Sequence, residues 1–498
     1  MASLLWHGYR YYPYERELAR REVKALLPGA AVAETDEGFR LRSGFDPEAA
    51  KRLVYFAAAV SPSGHVKPTT QGLLERVNGN GVNRQSTRYS AHGLHEYKGK
   101  FNPQVARAVL NLFGARPGAR VIDPFCGSGT SLLECAHLGL RAVGADINPL
   151  AVFIANAKLD ALSIPADSHR RALDRALRRR RTIKAPRSGR ENARRDYLRS
   201  WFDMNVLDSV ERLRIAIERE GADSAAPLLA IASNLLRDYS LQDPNDLRIR
   251  RRKDAVPEKP FHKAFEEAAS QFISKLEGAQ GILARTPNRS RAHLLDSRTL
   301  RPGLPGIGTT RFDCAITSPP YATALPYIDT QRLSLVWLGL IPPSDILPLE
   351  ARLVGSREVR GESKRELLNH LLTNEAGLPT AQADYCRELQ AALTGSDGFR
   401  RQAAPLLLYR YFAGMARVFR ALRPLMKTHA PFALIVGRNH TILGGRRFDI
   451  DTPAHLAAIA LGCGWTHDET IPLQTYQRYG YHMDNAVKGE GLLVVRAA

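Results

Sequence analysis

The chain has 498 residues, room for two to four units at roughly 150 residues per domain. With 44% hydrophobic and 24% charged residues, its composition is that of an ordinary folded chain, which excludes a wholly disordered, collagenous or membrane-embedded protein. Lys+Arg 71 against Asp+Glu 50 leaves +21, a balance that points to a polyanion, nucleic acid before an anionic membrane.

Residues 1–60 read as a small α+β unit, a separate module or flap: a helix over Tyr14–Leu27, a strand over Phe39–Arg42 and a helix over Pro47–Ala59. Residues 61–94, rich in Gly, Ser, Asn and Thr, read as a flexible linker. From Gly118 short apolar runs alternate with helical stretches, the pattern of a mostly parallel sheet covered by helices. The expected strands are Ala119–Pro124, Arg141–Ile147, Ala292–Asp296, Phe312–Thr317, Pro431–Val436, Trp465–Leu473 and Leu492–Arg496. Residues 95–160 and 291–498 would form this unit, and 161–290 an inserted helical, basic subdomain, because a structureless loop of that length does not fit inside a compact domain. A second insertion is expected at about 340–405.

The charge is unevenly placed. Residues 81–120 carry seven Lys/Arg and one Glu, and residues 161–200 carry thirteen Lys/Arg and four Asp/Glu. Those stretches hold +6 and +9 of the +21, although 57 Arg against 14 Lys is also what a GC-rich genome produces. Cys126, Cys135, Cys314, Cys386 and Cys463 form neither a disulfide framework nor a CxxC pair. A cytoplasmic location is expected: the first twenty residues lack a signal-peptide core, and the apolar run from Ser224, bounded by Asp223 and Arg237, is too short to span a bilayer.

The strongest local signal is VIDPFCGSGTSLLECAHLGLRAVGADINPLA, residues 121–151. An apolar strand runs into Gly127-Ser128-Gly129, then a helix, then a second strand ending at Asp146. The glycines let a ligand lie against bare main chain, and the helix N-terminus offers unpaired N–H groups. Asp146 is placed to accept from both hydroxyls of a ribose. Dinucleotide and S-adenosylmethionine sites share such a loop. GxGxxG spacing and a P-loop Lys are both missing, and Asp123, placed to hold an ammonium or a water beside a methionine-like group, favours S-adenosylmethionine.

The second signal is FDCAITSPPYATALPYID, residues 312–329, in which an apolar strand ends in Ser318-Pro319-Pro320-Tyr321. Two prolines remove two N–H donors and leave carbonyls and the Ser hydroxyl as acceptors. An aromatic amine is a poor nucleophile because its lone pair is delocalised into the ring. Acceptors at Ser318 Oγ and the Pro319 carbonyl would hold its hydrogens and favour a pyramidal nitrogen, while Tyr321 stacks on the base taken out of its helix. Catalysis would rest on positioning and electrostatics.

DPFCGSGT, GADINPLA and TSPPY resemble three motifs of the S-adenosylmethionine-dependent amino-methyltransferases that modify exocyclic nitrogens of DNA bases. HEYKGKFNPQVARAVL resembles the cofactor-binding segment before the first motif, and AHLLDSRTL the end of the family's third strand. The resemblance covers about residues 92–160 and 290–340. It implies a class I methyltransferase fold, a Rossmann-like α/β seven-stranded sheet with its last strand antiparallel. It also implies that Asp123, Phe125, Gly127 and Gly129 bind the cofactor around its methionine part, Asp146 its ribose and Asp296 its adenine. Phe101 and Pro103 would close over the site, and Ser318, Pro319, Pro320 and Tyr321 would hold the base. Ser at the first clamp position leans to N4 of cytosine, within a restriction-modification or defence setting that includes a possible partner enzyme. The Gly loop precedes SPPY here, opposite to the commonest N4-cytosine order, so N6-adenine stays open.

The N-terminal sequence also resembles the RNA-capturing domain of tRNA guanosine N2-methyltransferases, which keeps tRNA open as substrate. A nucleic-acid-binding protein without catalysis is the reading from another class. Arg178, Arg179, Arg180 and Arg181, with Arg248, Arg250, Arg251 and Arg252, are the candidate backbone contacts. His95 is read as either a loop hydrogen-bonder or a substrate contact, and the histidines suggest no metal cluster.

Overall fold

A computed structural model describes residues 1–77, 85–184, 192–246, 248–283, 289–322, 328–357, 364–473 and 489–498, without the side chains of 222 and 223. Five strands open the chain: β1 (Ala2–Trp6), β2 (Val32–Thr35), β3 (Gly38–Leu41), β4 (Phe56–Val60) and β5 (Val66–Pro68). They form an antiparallel sheet in the order β2-β3-β1-β4-β5. The helix expected over Pro47–Ala59 is thus a short helix, Pro47–Ala50, followed by β4. Alanine is the best helix former, but intrinsic propensity is small against tertiary context, and the pairing of β4 with β1 around stacked Trp6 and Phe56 overrides it.

The unit is no flap. Buried Glu22 accepts from Asn111 Nδ2 (2.7 Å) on the helix Pro103–Leu112, and Arg52 donates to the Ala115 carbonyl (2.7 Å). Arg21 pairs with Glu469 near the carboxyl end of the chain. The linker expected at 61–94 contains β5, a helix over Thr70–Val77 and a turn over Ser90–Gly93. Buried Thr69 makes the helix start: its hydroxyl donates to the Phe56 carbonyl and accepts from Gly72 N. Part of that stretch, 78–84, lies outside the described residues.

The second sheet uses β6 (Arg120–Asp123), β7 (Arg141–Asp146), β8 (Arg291–Leu294), β9 (Cys314–Thr317), β10 (Pro431–Gly437), β13 (Trp465–Leu473) and β14 (Glu490–Ala497). Its order is β13-β14-β10-β9-β6-β7-β8. The run from β10 to β8 is parallel, and β14 lies antiparallel to both β10 and β13. Along β10 the side chains alternate between two cores: Ala433 and Ile435 face the one shared with the N-terminal unit and the inserted helices, while Phe432, Leu434 and Val436 face the other. Such double burial requires helices on both faces. A hairpin of β11 (Asn439–Leu443) and β12 (Arg446–Ile450), not expected from the sequence, follows β10.

Between β7 and β8 the chain forms helices over Pro149–Ser163, Ala166–Arg179, Ala193–Arg199, Met204–Glu218, Ala222–Tyr239 and Phe261–Ile282. Helices Ile346–Arg352, Lys364–Thr373, Thr380–Ala391 and Phe399–Leu422 occupy the later insertion and its end. No helix among the described residues is long and apolar enough to cross a membrane.

Candidate active site

Parallel strands all end on one side of the sheet, and a cavity of about 180 Å³ opens there. Its wall is assembled from segments after successive strands: Phe125 to Ser128 after β6, Asp146 at the end of β7, Asp296 after β8 and Ser318 to Tyr321 after β9. Phe101 joins them from the segment before the helix Pro103–Leu112. The two sequence signals therefore share one cavity, although 160 residues separate them.

Three expected cofactor residues do not line it. Pro103 is the first residue of a helix and is buried there. Asp123 is 1% exposed and fully engaged: Oδ1 accepts from Phe125 N (3.0 Å) and the Thr317 hydroxyl (2.6 Å), and Oδ2 from the Ser131 hydroxyl. Burial pushes its carboxyl up to about 6. It fastens β6, β9 and the helix Thr130–His137 together beneath the loop. Gly129 caps that helix at φ +78°, where an added Cβ would meet Ala155 Cβ at 2.8 Å. Its part is close helix packing. Gly129→Ala should cost about 3 kcal/mol from left-handed strain and overpacking together, read as an earlier urea midpoint with an unchanged slope.

Gly127 does face the cavity. It sits at φ +48°, and an added Cβ would lie 3.5 Å from the Tyr97 ring. Asp146 Oδ2 accepts from Gly127 N (2.9 Å) and Oδ1 from Asn148 N (2.8 Å), so one carboxylate orders both loops while standing on the cavity wall. Burial raises it to about 6. Asp296 is held by Arg298, whose Nη2 reaches Oδ2 at 2.6 Å and whose Nε reaches Oδ1 at 2.9 Å. An adenine amine must share that carboxylate with a guanidinium. A bare loop at Gly127, aromatic rings at Phe101 and Phe125 and acceptors at Asp146 and Asp296 fit a nucleoside, while Lys98 and Lys100 on the same wall suit an anionic group.

At the clamp, the Ser318 hydroxyl donates to the Ile435 carbonyl (3.1 Å). Its proton is committed to β10, and its oxygen remains available as an acceptor. The Tyr321 hydroxyl donates to Glu490, the first residue of β14.

Several residues carry no sequence motif. Buried Lys158 donates to the Ser128 carbonyl (2.8 Å) and hydroxyl (3.1 Å), bracing the Gly loop, and burial holds its ammonium well below the usual range. Arg298, Arg352 and Glu490 stand on the cavity wall. Away from the cavity wall, His92, Glu134 and His137 converge, with Arg107 Nε 2.6 Å from the same carboxylate. Burial pushes His92 down to about 3, so Arg107 supplies the positive charge. His95 is buried against the Glu96 carbonyl and Ser233 and is absent from the cavity wall, which makes it a loop hydrogen-bonder.

The arginine runs do not form one basic face. Arg178 and Arg181 are exposed, whereas Arg179 pairs with Glu220 (2.5 Å) and Arg180 is half-buried. Arg250 pairs with Asp246 (3.1 Å). Arg251 lies over Trp201 and donates to the Ser200 carbonyl, and Arg252 donates to the Asp238 and Ser240 carbonyls. Arg248 is half-buried beside Asp246, which accepts from its backbone N–H. Lone cations near exposed carbonyls relax onto them, which a count of charges does not reveal.

Residues 94–195 match a family profile described as an RMKL-like methyltransferase domain. A 73-residue stretch is 44% identical to the type II methyltransferase M.MjaII of Methanocaldococcus jannaschii, covering 15% of this chain and 14% of that protein. A 52-residue stretch is 48% identical to the tRNA (guanine(10)-N2)-dimethyltransferase of Methanothermobacter thermautotrophicus, covering 10% and 16%. The type II methyltransferase M.AvaI of Nostoc sp. is 24% identical over 414 residues, 76% of this chain and 80% of that one. The mixed sheet agrees with a class I methyltransferase fold. The matches support an amino-methyltransferase family.

Proposed function

We propose that the chain is an S-adenosylmethionine-dependent methyltransferase acting on an exocyclic amine of a DNA base, N4 of cytosine first, with the base flipped out of its helix. The observation that carries this reading is the meeting of Ser318–Tyr321 with Gly127 and Asp146 on one cavity wall. Asp146 would hold the ribose, Asp296 with Arg298 the adenine side, and Gly127 with Phe101 and Phe125 the rest of the cofactor. When bound, S-adenosylmethionine supplies an activated methyl group. Ser318 Oγ accepts one amine hydrogen because its own proton is already given to Ile435. Tyr321 supports the ring that carries the amine.

The tRNA stretch and the N-terminal unit packed on the sheet favour guanosine N2 of tRNA as the second reading. Incubating the protein and labelled cofactor separately with duplex DNA and tRNA, then identifying the labelled nucleoside by mass spectrometry, tests both. N4-methylcytosine is the expected product. N6-methyladenine or N2-methylguanosine would redirect the base assignment, and no product in either pool would overturn the methylation reading.

For the polyanion, Arg178 and Arg181 are the exposed members of their run. Replacing both with Ala should lower the slope of log affinity against log salt by about two. Arg179→Ala should instead lower the melting temperature, since it leaves the buried Glu220 carboxylate with Arg175 alone.

A further inference from the structure

The two ends of the clamp are tied to neighbouring strands. Ser318 is fastened to β10 through the Ile435 carbonyl, and Tyr321 to β14 through Glu490 Oε1. Glu490 pairs in register with Gly437 at the end of β10, so both anchors rest on one antiparallel ladder. Glu490 lines the same cavity as the clamp and opens a strand that is otherwise largely buried. Burial raises its carboxyl while the Tyr321 hydrogen bond opposes the rise, and either protonation state leaves an oxygen that can accept from the phenol. A tyrosine held only by the loop it sits on would lose ring freedom at the moment a base stacks on it, and a prior hydrogen bond removes that cost.

Resting on the amine-methylation reading, we propose that Glu490 is a positioning residue of the base clamp, acting through the Tyr321 hydroxyl to hold the ring where the target base stacks. The arrangement separates two tasks: Ser318 meets the amine, and Glu490 orders the platform beside it.

The test is a double-mutant cycle on the full chain, using Glu490→Ala, Glu490→Gln, Tyr321→Phe and the Glu490→Ala/Tyr321→Phe pair. Methyl transfer is measured at saturating cofactor, with calorimetry of S-adenosylmethionine binding alongside. Glu490→Ala and Tyr321→Phe should each lower kcat about tenfold, the loss of one such hydrogen bond. The pair should be no worse than either alone, and Glu490→Gln, which keeps an acceptor oxygen, should recover most of the activity. Multiplying losses, or a Gln variant as poor as the Ala variant, would overturn the proposal.

A substrate-free arm places a ring-fluorinated tyrosine at position 321 and reads its fluorine resonance. The resonance should move in Glu490→Ala and stay near its native place in Glu490→Gln; no movement in Glu490→Ala overturns the contact. Wild-type protein that methylates no polynucleotide would sink the methylation reading instead, and the fluorine signal would still decide the Glu490 contact.

Discussion

Ser318→Ala is expected to lower kcat for methyl transfer by about a hundredfold, the scale of removing one transition-state hydrogen-bond partner, while S-adenosylmethionine affinity stays within about twofold. The Ser318 side chain leaves the cofactor loop untouched: its hydroxyl contacts Ile435, and the Gly loop is held by Asp123, Asp146 and Lys158. On the amine-methylation reading, the hydrogens of the attacking amine become more acidic, and an acceptor at Ser318 would be worth more there than in the ground state. Truncation therefore falls on kcat more than on KM. Ser318→Thr should restore activity in part by returning the hydroxyl. Rapid-quench measurement of a single turnover separates this from slow product release, and an equal fall in cofactor affinity would show that the loop, not the amine, had been disturbed.

The first strands of the parallel sheet are legible because a strand buried along most of its length writes itself as an apolar run. Arg120–Asp123 and Arg141–Asp146 fall within a residue or so of where the sequence puts them. Their loops were legible too, since Gly127 at positive φ and a carboxylate at a strand end are local requirements. What escaped were long-range partners. Lys158, thirty residues past Ser128, reads as a surface lysine, and Glu490 as the start of a terminal strand, until folding brings them beneath the loop and the clamp. Asp123 has such partners as well. Its spacing from Gly127 is right for a ligand contact, but Thr317 and Ser131 arrive from elsewhere and take its oxygens.

The +21 charge changes meaning once pairs are visible. In the basic stretch 161–200, Arg170, Arg175, Arg179, Arg194 and Arg199 all have carboxylate partners. In 81–120, Arg107 is buried on Glu134, and Arg120 packs over Phe312 while donating to the Ile307 carbonyl. Arg194 clamps Glu211 and the carbonyls of Val336 and Trp337, joining the inserted helices to the segment after the clamp. Many of the arginines thus hold the insertion itself together, and Arg194 also ties it to the segment after the clamp. That leaves fewer groups for phosphate than composition suggests, which is why the expected change in salt slope is about two and not four or more.

Asp146→Ala should weaken S-adenosylmethionine binding by about a hundredfold, near 3 kcal/mol, because a carboxylate taking two ribose hydroxyls forms two charge-assisted hydrogen bonds. The same truncation removes the acceptors of Gly127 N and Asn148 N, so Asp146→Asn, which keeps one oxygen, should lose less. Burial moves this carboxyl from 3.8 to about 6. A folded-state pKa above the unfolded one means that the native protein binds the proton more tightly. Stability from this group is therefore greatest at low pH and is lost as pH rises from about 4 through about 6. Cofactor affinity runs the opposite way, since only the ionised form accepts from both hydroxyls, and it should fall as pH drops below about 6. Asp123, also raised to about 6, retains its own proton linkage in the variant. Calorimetry from pH 5 to pH 8 should then show an acid limb in the wild type that flattens in Asp146→Asn; an unchanged limb would move the titrating group, and the ribose contact with it, away from Asp146.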